Sequence, residues 1–457
     1  MEGKLMELSF YEIAGAVGAT NDWQAWPDFS VTGAEFDSRK LAQGGLFVPL
    51  AGTRDGHDFL AAAVAKGAAA TLWSRETAPE LPYLQVEDVL TALQQLAKYY
   101  LQKVAPQVIA ITGSNGKTTT KDMTASVLST AFNTYKTQGN YNNQIGVPYT
   151  ILQMPAATEC LVLEMGMDHA GEINELSRLA EPDIAAITLI GESHLEHFGN
   201  RSGIAKAKME IANGLNELGV LIVPADEPLL APLMVDLTHP LITFGLDEVG
   251  DASATVTEQA QFHTKFTMTR FPGTEFTIPL PGVYNVRNAL VAGIIGSQLG
   301  LTASQVAAGL ANIQVTKNRT EWVKRHDGLE ILSDVYNANP TAMALVLDSF
   351  SDIDAPARRI AVLGDMLELG PDSAALHGGM VDHLTPEKIQ LVYLYGREMA
   401  HLYQRLVPIY GKQVQHFLDK EALIASLKTV VQPTDRLVVK ASNGMGLNEV
   451  VAALMAE

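Results

Sequence analysis

Short apolar runs alternate with longer stretches in which apolar residues recur at helical spacing, and the alternation continues through three regions of the chain. This pattern predicts an α/β fold with largely parallel sheets. In the first region, residues 46–50 read as a strand, 57–70 as an Ala-rich helix and 89–103 as a second helix, after which Pro106 marks a linker. In the second, 108–112 is a buried strand followed by a glycine-containing turn and a helix near 118–130, with further strands at 160–164, 184–190 and 220–223. That succession is a doubly wound pattern. Residues 253–280 are richer in Thr and Phe and alternate more, predicting an antiparallel edge or meander before a helix around 286–297. The third region has strand patterns at 331–336, 360–363, 391–395 and 437–440, separated by helical stretches such as 423–430, and predicts a smaller doubly wound sheet.

Size extends this reading to domains. A chain of 457 residues, 47% hydrophobic, exceeds what one core usually accommodates, so about three domains are expected. The boundaries are drawn at 1–105, 106–317 and 318–457: a smaller N-terminal α/β domain, a central domain with a phosphate loop, and a C-terminal Rossmann-like domain closing over the site. With 51 acidic residues against 32 basic ones, the balance argues against general affinity for nucleic acid or anionic membranes. Any anionic substrate must be held by local groups. Cys160 is the only cysteine, which excludes an intrachain disulfide or a cysteine zinc cluster and suits a reducing compartment. Residues 1–10 carry Lys4 and Glu7 and lack the apolar core of a signal peptide. The apolar stretch 59–73, interrupted by Lys66, is shorter than the roughly 20 residues a spanning helix needs. A soluble, cytoplasmic monomer without membrane insertion is expected.

Candidate chemistry centres on Ile111-Thr112-Gly113-Ser114-Asn115-Gly116-Lys117-Thr118-Thr119, between an apolar strand and a helix. Backbone N–H groups and the helix dipole make such a turn an anion site. Ile111 stands where the common P-loop pattern has its first glycine, while Gly116, Lys117 and Thr118 are kept. Lys117 suits the β- and γ-phosphates of a nucleotide, and the Thr118 hydroxyl suits the Mg²⁺ bridging them. Glu164 ends the next apolar strand, where ligand residues gather in such sheets, and is a candidate magnesium ligand. Taken alone, His194 reads more readily as a helix-capping or structural histidine and Lys206 as an exposed helical lysine.

Together, residues 112–119, Glu164, the His194 segment, Asn285 to Asn288, Asp334 to Pro340 and Lys440 resemble the Mur ligase family of peptidoglycan synthesis over essentially the whole chain. Asn140-Tyr141-Asn142-Asn143-Gln144, Leu163 to Met167, Tyr336-Asn337-Ala338-Asn339-Pro340 and Gly364-Asp365-Met366-Leu367-Glu368-Leu369-Gly370 resemble the member adding the final dipeptide. The Asp-Asn-Pro-Arg signature of relatives that add diaminopimelate is absent. Phe36-Asp37-Ser38-Arg39 with Gly45 to Leu50 and Asp55-Gly56-His57 resembles the uridine-nucleotide domain, although Gly45, Pro49 and Gln144 replace the usual Asp, Ala and Glu.

The resemblance implies an ADP-forming acid–amino-acid ligase that binds ATP, UDP-N-acetylmuramoyl-tripeptide and D-alanyl-D-alanine. It implies ATP contacts from Gly113, Ser114, Asn115, Gly116, Lys117, Thr118, Thr119, Asn285, Asn288, Arg319 and Asp334, and UDP-substrate contacts from Ser38, Arg39, Asn142 and Asn143. Two Mg²⁺ ions are implied, one on Thr118 and Glu164, the other on His194 and Lys206. Because an ammonium cannot ligate a cation, Lys206 is implied to carry a CO₂-derived carbamate. Lys117, Glu164, His194, Lys206 and Arg319 are the implied catalytic set, and Lys440 is implied to meet a substrate carboxylate. The base for the attacking amine stays open among His377, Asp365 and other groups.

Overall fold

The computed structural model describes residues 6–314, 316, 319–353 and 357–456. Among these, four sheets follow one another along the chain. Glu7–Ser9 and Ser30–Thr32 form a small antiparallel pair, and Ala34–Glu35, Leu46–Phe47, Ala70–Trp73 and Tyr83–Gln85 form a parallel four-stranded sheet. A nine-stranded sheet runs through the centre, with Gln107–Thr112 between Cys160–Glu164 and Ile184–Ile187. Its strands are parallel out to Ala252–Gln259, after which Thr264–Met268 and Glu275–Ile278 add an antiparallel edge. The six-stranded sheet beyond is parallel except for Glu321–Lys324. The α/β class and the antiparallel edge agree with the sequence pattern; the expected boundary at 317/318 lies outside the described residues.

Strand alternation explains the layering. Along Gln107–Thr112, Val108 and Ala110 enter one core while Ile109 and Ile111 enter the other. The Ile109 side packs against the helices Lys117–Leu128 and Val283–Gln298. The Val108 side is continuous with the N-terminal elements: Phe10, Leu72, Leu96 and Tyr100 share a core with Leu161 and Ile204. Each such fully buried large side chain contributes about 1.5–3 kcal/mol, so this junction is strongly apolar.

The expected helix 57–70 is divided instead. A 3₁₀ turn over Gly56–Phe59 leads into Leu60–Ala65, and the chain then turns at Gly67 (φ 96°) into the strand Ala70–Trp73. Glycine suits that turn because its backbone takes a left-handed φ that side chains disfavour. The strand expected over 46–50 pairs only at Leu46–Phe47. The edge strand Val414–Phe417, half-buried apart from Val414, lacked a sufficient apolar run to be read from the pattern.

Candidate active site

The strand Gln107–Thr112 delivers the chain to the carboxyl edge of the central sheet, and the helix Lys117–Leu128 starts directly after the turn. Gly113 (φ 150°) and Gly116 (φ 81°) take backbone conformations that side chains disfavour. A Cβ at Gly113 would lie 1.9 Å from Thr188 Oγ1, and one at Gly116 would lie 2.5 Å from Asn288 Oδ1. The helix start beyond them has N–H groups without intrahelical acceptors, as an anion site requires. Lys117 Nζ folds back to donate to Gly113 O at 2.8 Å, and burial lowers its pKa against the opposing pull of Glu164.

Among the cavities that open beside this loop, two gather most of the candidate residues. The larger, about 370 Å³, is lined by Ser114, Asn115, Gly116, Lys117, Asn142, Glu164, Asp168, His194, Lys208, Arg319, Tyr336 and Glu368, among others. The smaller, about 70 Å³, brings together Asn115, Gly116, Thr119, Asn285, Asn288, Arg319 and Asp334. The carboxyl edges of the central and C-terminal sheets therefore face the same space, which is where open α/β sheets collect ligand residues. Asn285 and Asn288 are buried and linked, with Asn288 Nδ2 donating to Asn285 Oδ1 at 3.2 Å. Arg319 lies over Tyr336, its guanidinium carbon 4.0 Å from the ring centroid. Thr118 is buried at the second helical position.

Glu164 has two differently occupied oxygens. Oε1 accepts from Asn142 Nδ2 at 2.8 Å, whereas the buried Oε2 has no hydrogen-bond partner. An orphaned carboxylate oxygen beside a phosphate loop fits a hard cation with few protein ligands, since phosphates and water complete such a shell. Among the described residues there is no cluster of three His, Cys, Asp or Glu side chains set for a metal, so the fit rests on this mixed donor set. His194 has φ 59° and brings Nδ1 to 2.6 Å from Glu368 Oε2 and 3.3 Å from Asp168 Oδ1. Those are ion-pair distances off the line of a hydrogen bond. Burial nevertheless outweighs the carboxylates and lowers the imidazole pKa, favouring the neutral ring.

Lys206 does not join this group. It is exposed on the helix Arg201–Met209, while Lys208 is 2% exposed and lines the larger cavity. Two residues along a helix turn the side chain about 200°, so the two lysines cannot share a face. Ile204 and Lys208, four apart, do share one, and Ile204 is fully buried. That spacing was the available sequence signal. Burial holds the Lys208 pKa well below the ordinary lysine value, and Lys117 nearby pushes it the same way.

Other expectations divide similarly. Lys440 is buried, donates to Asp334 Oδ2 at 2.5 Å and Asn337 O at 2.8 Å, and so braces Asp334 while lining the smaller cavity. Asn142 reaches the larger cavity, but Asn143 Oδ1 accepts from Ile145 N at 3.2 Å and Gly146 N at 2.9 Å, in the turn that leads into the helix Gly146–Gln153. Ser38 is buried in the N-terminal module and Arg39 is largely exposed, paired with Asp37 at 2.8 Å. Neither lines the two cavities, although the adjacent Phe36 packs against Tyr149 with centroids 4.9 Å apart. His377 accepts from Met366 N through Nε2 and donates to Ser373 O through Nδ1, while Asp365 accepts from Glu398 N and Met399 N. Both are used to hold the C-terminal scaffold. Sequence reasoning missed Lys208, whose spacing from Ile204 was not used, and Asp168 and Glu368, because a turn aspartate and a loop glutamate carry no local mark of the cavity they enter.

Residues 30–101 match the Mur ligase family catalytic domain, 111–296 the Mur ligase middle domain, and 318–443 the Mur ligase glutamate ligase domain. The chain is 44% identical over 431 residues to the UDP-N-acetylmuramoyl-tripeptide–D-alanyl-D-alanine ligase of Bacillus subtilis (strain 168), covering 93% of both chains. The chain belongs to the Mur ligase family. It is an ATP-dependent ligase. The Escherichia coli (strain K12) ligase of the same name is 36% identical over 433 residues, covering 93% of this Mur ligase and 94% of that one. The crystal structure of MurF from Acinetobacter baumannii superposes with TM-score 0.91 at 29% identity, covering 99% of this chain and 100% of that chain. MurF ligase from Thermotoga maritima in complex with ADP superposes with TM-score 0.81 at 27% identity, covering 96% and 99%.

Proposed function

We propose that this Mur ligase joins D-alanyl-D-alanine to UDP-N-acetylmuramoyl-tripeptide with ATP, as the names of its relatives describe for those proteins. The reading is carried by one juxtaposition: the cations Lys117 and Arg319 line the same cavity as Asn142 and the half-satisfied carboxylate of Glu164. Phosphoryl transfer needs alignment and charge neutralisation, and this arrangement supplies both. The terminal carboxylate of the tripeptide attacks the γ-phosphorus, the bond to ADP breaks, and an acyl phosphate forms. The amine of D-alanyl-D-alanine then adds to the acyl carbon and loses a proton, and phosphate leaves as the amide forms. Lys117 and Arg319 neutralise the phosphoryl oxygens, while Asn115, Gly116, Asn285, Asn288 and Asp334 surround the nucleotide. Ser38, Arg39 and Asn142 are assigned to the UDP-linked substrate, with Asn143 supporting Asn142 through the turn.

Thr118 and Glu164 are assigned to one Mg²⁺ and His194 and Lys208 to a second, which when bound lower the charge on the transferring phosphoryl group. Lys208 replaces Lys206 because it is buried and has no carboxylate partner among the described residues. A buried, unpaired ammonium is costly, so a neutral amine able to add CO₂ and become an anionic oxygen ligand fits this position. Purified protein given ATP, Mg²⁺, UDP-muramoyl-tripeptide and D-alanyl-D-alanine should release phosphate and form UDP-pentapeptide by mass spectrometry. Lys117→Ala should abolish turnover. Phosphate release independent of the peptide, with no ligated mass, defeats this reading.

A further inference from the structure

Asn339 stands where the C-terminal sheet meets the phosphate loop. It precedes the helix Pro340–Ser351, is 1% exposed, and caps that helix by accepting from Ala342 N at 2.9 Å. The same amide reaches the central domain. Asn115 Nδ2 donates to Asn339 Oδ1 at 3.1 Å, and Asn339 Nδ2 donates to Asn115 Oδ1 at 2.8 Å and to Ser193 Oγ at 2.7 Å. Ser193 Oγ donates onward to Ser114 O at 3.2 Å. One C-terminal side chain therefore holds Asn115 directly and Ser114 through a hydroxyl. Asn115 is gripped from the other side by Thr188 Oγ1, which donates to its carbonyl at 2.5 Å. Glu192 Oε2 reinforces the junction by accepting from Thr341 N at 3.1 Å and Thr341 Oγ1 at 2.7 Å.

The choice of an amide is specific. Its oxygen accepts twice and its nitrogen donates twice, so all four bonds close on protein partners, the one to Ser193 fully buried and the other three half-buried. A carboxylate could keep the cap and lose both donors. We propose that Asn339 is a positioning residue that couples docking of the C-terminal sheet to the shape of the phosphate loop through Asn115 and Ser193. With the sheet docked, Asn115 and Ser193 are satisfied and the loop is braced in its phosphate-receiving shape. With the sheet undocked, both lose their buried partner and the loop relaxes. Phosphoryl transfer thereby waits for docking, which keeps water from the activated carboxylate. The inference rests on the ATP-binding role of the loop and not on which acid and amine are joined.

Asn339→Asp tests it, because Asp remains a strong helix cap but cannot donate to Asn115 or Ser193. Hydrogen–deuterium exchange is measured on the full chain, with and without AMP-PNP and Mg²⁺, over the peptide spanning residues 113–119. At a factor of about five for each of the two hydrogen bonds lost, loop exchange should accelerate about 25-fold while circular dichroism still reports a folded chain. The ATP-dependent kcat should fall by a similar factor. Asn115→Ala breaks the pair from the other side, without touching the C-terminal helix, and should accelerate exchange at the start of Pro340–Ser351. Combining the substitutions should cost little more than the worse single one. Loop exchange at the parent rate under both conditions, or additive losses in the double variant, overturns the proposal. Because exchange needs no peptide acceptor, failed ligation by the parent chain counts against the proposed substrates alone.

Discussion

Lys206 and Lys208 have the same chemistry and nearly the same sequence context, yet only Lys208 reaches the cavity. The difference is helical phase: Lys208 follows the fully buried Ile204 by one turn, and Lys206 points to solvent. Lys208→Ala is therefore expected to lower the rate of UDP-pentapeptide formation by on the order of 100-fold, the scale of losing one group that stabilises transition-state charge. Lys206→Ala should stay within about twofold of the parent chain. Equal effects from the two substitutions would place the functional lysine elsewhere. The phosphate loop illustrates the opposite case, since Gly116 and Lys117 were legible from the motif alone. Their spacing is a local signal, one turn and the first residues of one helix, although distant side chains such as Thr188 and Asn339 hold the loop.

At the scale of elements, the strand Arg359–Gly364 and the helix Ser373–Gly379 are pinned together through His377, whose Nε2 accepts from Met366 N at 2.9 Å. Burial lowers the His377 pKa below its ordinary value even though Asp365 and Glu398 pull upward. The unfolded chain therefore binds this proton more readily than the folded one as pH falls. Stability should decline once pH drops below about 6.5, the unfolded value, and continue to decline until the folded value is passed. The melting temperature should fall between pH 7.5 and pH 5.5, and His377→Gln should flatten part of that fall. An unchanged pH slope in the variant would remove His377 from the account. Elements with continuous apolar runs, such as Cys160–Glu164 and Leu391–Tyr395, were readable beforehand. The break at Gly67 was not, because the surrounding Ala-rich segment favours a helix, and the left-handed backbone at Gly67 (φ 96°) that ends it is adopted only as the strand Ala70–Trp73 pairs.

Over the whole molecule, the two junctions between sheets differ in kind. The N-terminal module and the central sheet share one apolar core, including Leu96, Tyr100 and Leu161. The C-terminal sheet has its own cores and meets the central domain through a mixture of limited apolar contacts, such as Phe262 against Trp322 and Tyr284 against a C-terminal core, and polar contacts such as Asn115 with Asn339 and His194 with Glu368. Apolar junctions hold as single bodies, whereas polar junctions exchange with water at small net cost. Ligand-dependent movement should therefore occur at the C-terminal junction. Small-angle scattering with and without saturating nucleotide and UDP-muramoyl-tripeptide should show a smaller radius of gyration for the bound chain, and unchanged dimensions would argue against closure.

The sequence by itself determined the α/β class, the order of the sheets, the phosphate loop and the resemblance to Mur ligases, because hydrophobic period and turn chemistry act over a few neighbouring residues. Tertiary structure alone decided which lysine enters the site, that Lys440 braces Asp334, and that Asn339 grips the loop 224 residues before it. Those outcomes depend on helical phase and on side chains meeting across domains, which no local pattern encodes.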